Sequence, residues 1–206
     1  MKKRIAGAKR KLNETRILQA AERVFAERGF SAASTAAIAR IAGLPKANLH
    51  YYFHTKEALY RRVLETVIAR WIETSDPIEP GADPKAALSA YIAGKIEQSR
   101  KHPHASKVFA NEILHGAPSI AGRLRGDLRG WLEAKCRVID GWIAAGKMAP
   151  VDAKHLFFVI WAATQTYADF DVQAAALLGR RKLRPADFNA AKTLVTQMVL
   201  SACRLT

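Results

Sequence analysis

Within seven residues, Lys46-Ala47-Asn48-Leu49-His50-Tyr51-Tyr52, the chain sets out an ammonium, a carboxamide, an imidazole and two phenols. These are groups that hydrogen-bond to base edges and to phosphate oxygens. On a helix of one to two turns they are narrow enough to enter the major groove of duplex DNA, with the N-terminal residues towards the bases. Lys46 and Asn48 are expected at bases, Tyr51 and the nearby Lys56 at phosphates. A second group lies far along the chain. Gln165 sits in an apolar run with Trp161 one turn before it and Thr164 and Tyr167 beside it. Its amide has two donors and an acceptor that need partners. A planar amide ligand walled by Trp71 and Trp161 would supply them, and so would a neighbouring helix or a second copy of the chain.

The elements around the first group read as two short helices joined by a tight turn. Ser34 or Thr35 can cap the first, and Ile38, Ile41 and Ala42 share one face. Gly43 suits the left-handed residue that ends a helix, and Pro45 suits the first position of the next. The spacing predicts a helix-turn-helix.

That stretch resembles the DNA-binding domain of TetR-type bacterial transcriptional regulators. The matching pieces are Ile17-Leu18-Gln19-Ala20-Ala21, Phe25-Ala26-Glu27-Arg28-Gly29-Phe30, Ile38-Ala39, Ala42-Gly43, Leu49, Tyr51-Tyr52-Phe53 and Lys56-Glu57-Ala58-Leu59. Family members usually have Ser or Thr where Pro45 stands, a small residue at Ala47 and Tyr at His50. The resemblance implies DNA contact by Thr35, Lys46, Ala47, Asn48, His50, Tyr51, Tyr52 and Lys56.

Charge agrees with a polyanionic partner. The 206 residues carry a net charge of +15, and residues 1–60 hold 12 of the 33 Lys and Arg but 4 of the 18 Asp and Glu. The basic residues therefore crowd where the helix-turn-helix sits. Residues 1–12 read as a flexible basic arm, reaching DNA or simply solvated. No apolar run follows them, so no signal peptide is expected, and no stretch is apolar enough to span a bilayer. Cys136 and Cys203 are too few for a disulfide framework and suit a reducing cytoplasm.

The rest reads as helix throughout. Leu59, Tyr60, Val63, Leu64, Val67, Ile68, Trp71 and Ile72 form the apolar stripe of a long helix leaving the DNA-binding domain. Residues 76–84 are a Pro/Gly breaker, and helices follow near 85–102, 104–115, 122–145, 152–169 and 185–204. The reading is all-α: an arm at 1–12, a DNA-binding domain at 13–58, and a ligand-binding and dimerisation domain at 59–206. Residues 156–163 are apolar on every side and so are expected to be buried all round. With the stripe of the last helix, including Val195 and Met198, they suit either a four-helix subunit interface or packing within one chain.

Residues 88–120 and 141–170 also resemble the ligand-binding half of pyrimidine-utilisation regulators of the same family. The resemblance carries Tyr91-Ile92, Lys95, Glu97, Phe109, Glu112, Gly116-Ala117-Pro118, Trp161, Thr164-Gln165 and Tyr167. It implies a pyrimidine base such as uracil or thymine as effector, held among Trp71, Tyr91, Lys95, Asn111, His115, Trp161, Gln165 and Tyr167. His115 departs from the pattern, which has an apolar or small residue there.

Two other patterns are weak. Residues 141–147 have phosphate-loop spacing, but Met148 replaces the Mg²⁺-binding hydroxyl and the segment ends a helix. His102, His104, Glu112 and His115 lack a His pair on one helix face, so neither metal nor catalysis is expected of them. The sequence points to a ligand-responsive, dimeric DNA-binding regulator, with no cofactor. A constitutive or architectural DNA-binding protein is the competing reading, and it would need no pocket.

Overall fold

The computed structural model describes residues 2–205, with side chains from Arg10 onward. It is helical throughout. The order is α1 (Lys2–Ala32), α2 (Thr35–Ala42), α3 (Lys46–Tyr52), α4 (Lys56–Glu73), α5 (Pro84–Lys101), α6 (Pro103–Leu114), α7 (Ala121–Arg123), α8 (Arg129–Ala144), α9 (Ala153–Asp169), α10 (Asp171–Leu177) and α11 (Pro185–Ala202). A π turn at Leu124–Leu128 joins α7 to α8. Side-chain caps explain several starts. Asp83 accepts from the Ala86 amide at 2.8 Å ahead of Pro84, and Asp152 accepts from that of His155 at 2.9 Å. Both satisfy amides that a helix leaves open at its N-terminus.

The first residues, expected as a flexible arm, continue α1: its backbone is helical from Lys2. Lys, Arg and Ala are good helix formers, and a helix held by packing further along extends readily into them. Met1 lies outside the described residues. Near the other end of α1, Gly29 adopts φ 71 and ψ 171 and turns the chain towards α2.

Two apolar cores result. One gathers Ile17, Val24 and Phe25 of α1, Ile38 of α2, Leu49 of α3 and Leu59, Tyr60, Val63, Leu64 and Ile68 of α4, with Val108 and Ile120. The other gathers Leu88, Tyr91 and Ile92 of α5, Ile139 and Trp142 of α8, Phe157 and Ile160 of α9, and Val195 and Val199 of α11. α4 starts in the first and reaches the edge of the second. The first core takes in residues well beyond the expected boundary at 58, because α4 covers the helix-turn-helix with its N-terminal half.

Two expectations need correction. Ile41 faces solvent, not the core. α9 is not covered all round within one chain: α5, α6, α8 and α11 pack on it, yet Phe158 and Val159 remain exposed. Apolar composition alone does not say which chain supplies the cover. α10, seven residues between Phe170 and Leu178, is a helix that the sequence pattern left unassigned.

Candidate functional site

The helix-turn-helix is built by local chemistry. Ser34, not Thr35, caps α2, its hydroxyl accepting from the Ala37 amide at 3.2 Å. Gly43 ends α2 at φ 63, where its own amide reaches back to the carbonyls of Ala39 and Arg40. A side chain there would also meet the Arg16 guanidinium, which stands 2.7 Å from the position of a Cβ. Pro45 is the extended residue just before α3.

On α3, Leu49 is the buried anchor. Lys46, Ala47, Asn48, His50 and Tyr51 face solvent on the remaining surface, Tyr51 at 69 % exposure. Tyr52 is half-buried and its hydroxyl accepts from Asn13 Nδ2 at 3.4 Å, tying α3 to α1. Thr35 is half-buried at the start of α2. An exposed polar and aromatic face on a short, well-anchored helix is what groove entry requires.

Lys56 is elsewhere than expected. Its ammonium donates to the carbonyls of Phe30 at 2.9 Å, Ser31 at 3.3 Å and Ala33 at 3.1 Å, and lies 4.4 Å from the Phe30 ring centroid. Carbonyls at the end of α1 have no helical partners, so a cation at the start of α4 closes them. In the free chain Lys56 holds the reading head together.

The second site is a cavity of about 70 Å³ at the seam between the cores. Ile68, Trp71 and Ile72 of α4, Phe109 of α6 and Leu128 of the π turn line one part. Tyr91 and Lys95 of α5, Trp131 of α8, and Trp161 and Gln165 of α9 line the rest. Trp161 Nε1 donates to the Tyr91 hydroxyl at 2.7 Å, and the Trp131 and Trp161 rings stack 6.2 Å apart. Trp71 meets Phe109 edge-on at 4.6 Å. Burial pushes the Tyr91 phenol well above its ordinary pKa, so it stays neutral.

Lys95 is 3 % exposed, its ammonium 4.3 Å from the Trp71 ring centroid. Burial lowers its pKa to about 7, while the charge of Asp169 acts the other way. Asp169 itself is raised by burial, against the hydrogen bond that Ser106 Oγ donates to it at 2.5 Å.

Of the eight expected ligand residues, five meet here: Trp71, Tyr91, Lys95, Trp161 and Gln165. The other three do not. Asn111 and His115 lie on an open cleft between the end of α1, α4 and α6, where His115 Nδ1 is 2.7 Å from the Asn111 carbonyl. Tyr167 lines a surface groove beside Phe188. Asn111 and His115 follow Phe109 on α6 by two and six residues, which turns the first to another face and puts the second beyond the helix end. Phe109, Leu128 and Trp131 were missed; aromatic type on an amphipathic helix was the available signal for Phe109 and Trp131, and Leu128 offered none.

Glu112 is buried on that same helix. It accepts from the Ser119 amide at 2.5 Å and its charge acts on Tyr60 of α4, whose pKa is raised by burial first and by this carboxylate second. α6 thereby carries both a cavity wall and a polar tie to the DNA-reading half. Residues 141–147 are the end of α8, with Gly146 at φ 67 closing the helix and Trp142 buried. Among the described residues no group of three His, Cys, Asp or Glu is placed to hold a metal. No described helix is long and apolar enough to cross a membrane.

Comparison with known families decides the class. Residues 17–63 match the model described as bacterial regulatory proteins, tetR family, and residues 64–206 match that of the YcdC-like protein C-terminal region. The chain belongs to the TetR family. It is 40 % identical to the HTH-type transcriptional regulator RutR of Escherichia coli (strain K12) over 91 % of this chain and 89 % of that protein. It is 32 % identical to the HTH-type transcriptional repressor NicS of Pseudomonas putida, over 48 % of this chain and 47 % of NicS. The fold is shared with a putative transcriptional regulator, SCO4942 of Streptomyces coelicolor, at TM-score 0.70 and 24 % identity, covering 93 % of this chain and 98 % of that one. This TetR-family chain is thus a transcriptional regulator and not an enzyme.

Proposed function

We propose that this regulator is a cytoplasmic, homodimeric repressor that binds a double-stranded DNA operator and releases it on taking up a pyrimidine base such as uracil or thymine. The observation that carries the reading is the cavity. It is small, walled by three indoles, and offers an amide, a phenol and an amine at the seam between the two cores. Pockets for drug-sized ligands run to roughly 300–1,000 Å³, so this space excludes them and admits a single flat ring only as its walls part slightly. A constitutive DNA-binding protein has no use for such a space. The resemblance of residues 88–120 and 141–170 to pyrimidine-utilisation regulators supports the same ligand.

An imide edge alternates C=O, N–H and C=O, and one primary amide can both donate to it and accept from it in a plane. Gln165→Leu should therefore weaken uracil binding by roughly 2–4 kcal/mol, on the order of 30- to 1,000-fold, with operator binding intact in the absence of ligand. Titration calorimetry with uracil and a DNA-release assay test this. No heat and no release with the unaltered chain would retire the pyrimidine while leaving the regulator.

The dimer is supported by the apolar side chains that one chain leaves exposed on α9 and α11: Phe158, Val159, Leu194 at 56 % and Met198 at 60 %. Val195, expected in the interface, is buried in its own chain, so it is no probe of assembly. Leu194→Glu is the sharper variant, since an unpaired charge in an apolar interface costs several kcal/mol. Sedimentation should give monomers, and an intact dimer would move the interface elsewhere. Two reading helices one DNA turn apart would then grip successive major grooves, and the liganded state would favour a spacing that no longer fits.

A further inference from the structure

Gln165 and the indoles account for a flat amide ring but leave Lys95 without a task. Lys95 is the one charged side chain among the described residues that line the cavity. An ammonium surrounded by aromatic walls is costly to desolvate. Here the Trp71 face, 4.3 Å away, and the field of Asp169 offset part of that cost. Asp169 is already engaged by Ser106, and Lys107 of α6 is paired with Asp171 of α10 at 2.7 Å. α4 and α8 bring only neutral groups to the cavity. The ammonium therefore faces a space with no anion lining it.

We propose that Lys95 makes the cavity selective for planar rings with an acidic N–H beside a carbonyl, and that such a ring is bound as its anion against the lysine ammonium. This rests on the pyrimidine reading of the cavity and narrows it. The N–H used is the one that Gln165 does not pair with. That bond breaks, its electron pair stays on the ring, spread over nitrogen and the adjacent carbonyl oxygen, and the proton passes to Lys95 Nζ. Where the lysine is already charged, the proton passes to solvent. The anion meets a cation that the cavity has otherwise left unmatched.

The pH dependence follows with a definite sign. Lys95 exchanges its proton near pH 7 in the free chain. One unit below that, the amine is already charged, so binding uracil as an anion releases one proton. One unit above, the ring's proton moves to the amine and none is exchanged with solvent. A neutral complex held by the ammonium behaves oppositely: no exchange at the lower pH, and uptake of one proton at the higher. Calorimetry of the full chain with uracil in two buffers of unlike ionisation enthalpy separates the two cases. 5-Fluorouracil has nearly the shape of uracil but a more acidic N–H, and should bind about five- to tenfold more tightly. Lys95→Met should bind both rings equally weakly, with operator binding as the check that it folds. The ranking and the proton count are read on the unaltered chain and stand without that variant. Equal affinities with proton uptake at the higher pH would overturn the anion and keep the pyrimidine. Failure of both rings to bind would overturn both.

Discussion

The DNA-reading helix and the cavity hold their functional side chains by opposite means. α3 is seven residues long, and one buried leucine fixes it while the working groups stand in solvent. The cavity has no single anchor. Its walls come from α4, α5, α6, the π turn, α8 and α9, and most of its working groups are wholly or largely buried. The first design concentrates risk in a few contacts, and the second spreads it over many.

The sharpest way to break that contrast is at the anchor. Leu49→Ala should cost about 2–5 kcal/mol and abolish operator binding, because no second residue of α3 is buried to take over. Uracil affinity should survive, since the cavity draws nothing from α3. Paired thermal denaturation and calorimetry check both halves, and an equal fall in uracil affinity would mean that they fold as one unit.

A smaller effect is expected at the clasp. Lys56→Met leaves the carbonyls of Phe30 and Ser31 in α1 and of Ala33 just beyond it without their donor, and should cost roughly 1.5–3 kcal/mol. The melting temperature and operator affinity should fall, but the salt dependence of binding should not change, as it would on losing a phosphate contact. A lowered salt slope with unchanged stability would return Lys56 to the DNA.

The smallest effect concerns the connection between the regions. Tyr60→Phe removes the hydroxyl that meets Glu112 and should cost about 1 kcal/mol of stability. Operator affinity and uracil affinity, each measured alone, should stay near those of the unaltered chain, while uracil should become less effective at releasing DNA. Unchanged release would show that the polar tie does not carry the coupling.

The two regions also differed in how well they could be read from sequence. The helix-turn-helix was legible because its determinants are contiguous: Ser34, Gly43, Pro45 and Leu49 act on neighbours within a few residues. The clasp made by Lys56 was not foreseen because its partners, 23 to 26 positions back, are backbone carbonyls that no side-chain pattern reveals. The cavity was half legible. Trp71, Trp161 and Gln165 stood out by type. Phe109, Leu128 and Trp131 are ordinary apolar residues, and only the packing of α6, the π turn and α8 against α4 and α9 turns them inward. Asn111 and His115 failed for the converse reason: residue type suggested a ligand, and helix phase pointed them away.

α4 holds the clasping lysine at one end and a wall of the cavity at the other. Fifteen residues separate Lys56 from Trp71, about 22 Å of unbroken helix. A rod of that length tilted by about 5° swings its far end ~2 Å. In a dimer both rods swing, against a groove repeat of roughly 34 Å that DNA itself does not adjust cheaply. The displacement at the operator is thus set by the length of α4 and not by the bulk of the effector. Under the proposed mechanism, an effector no larger than a single ring would have leverage enough.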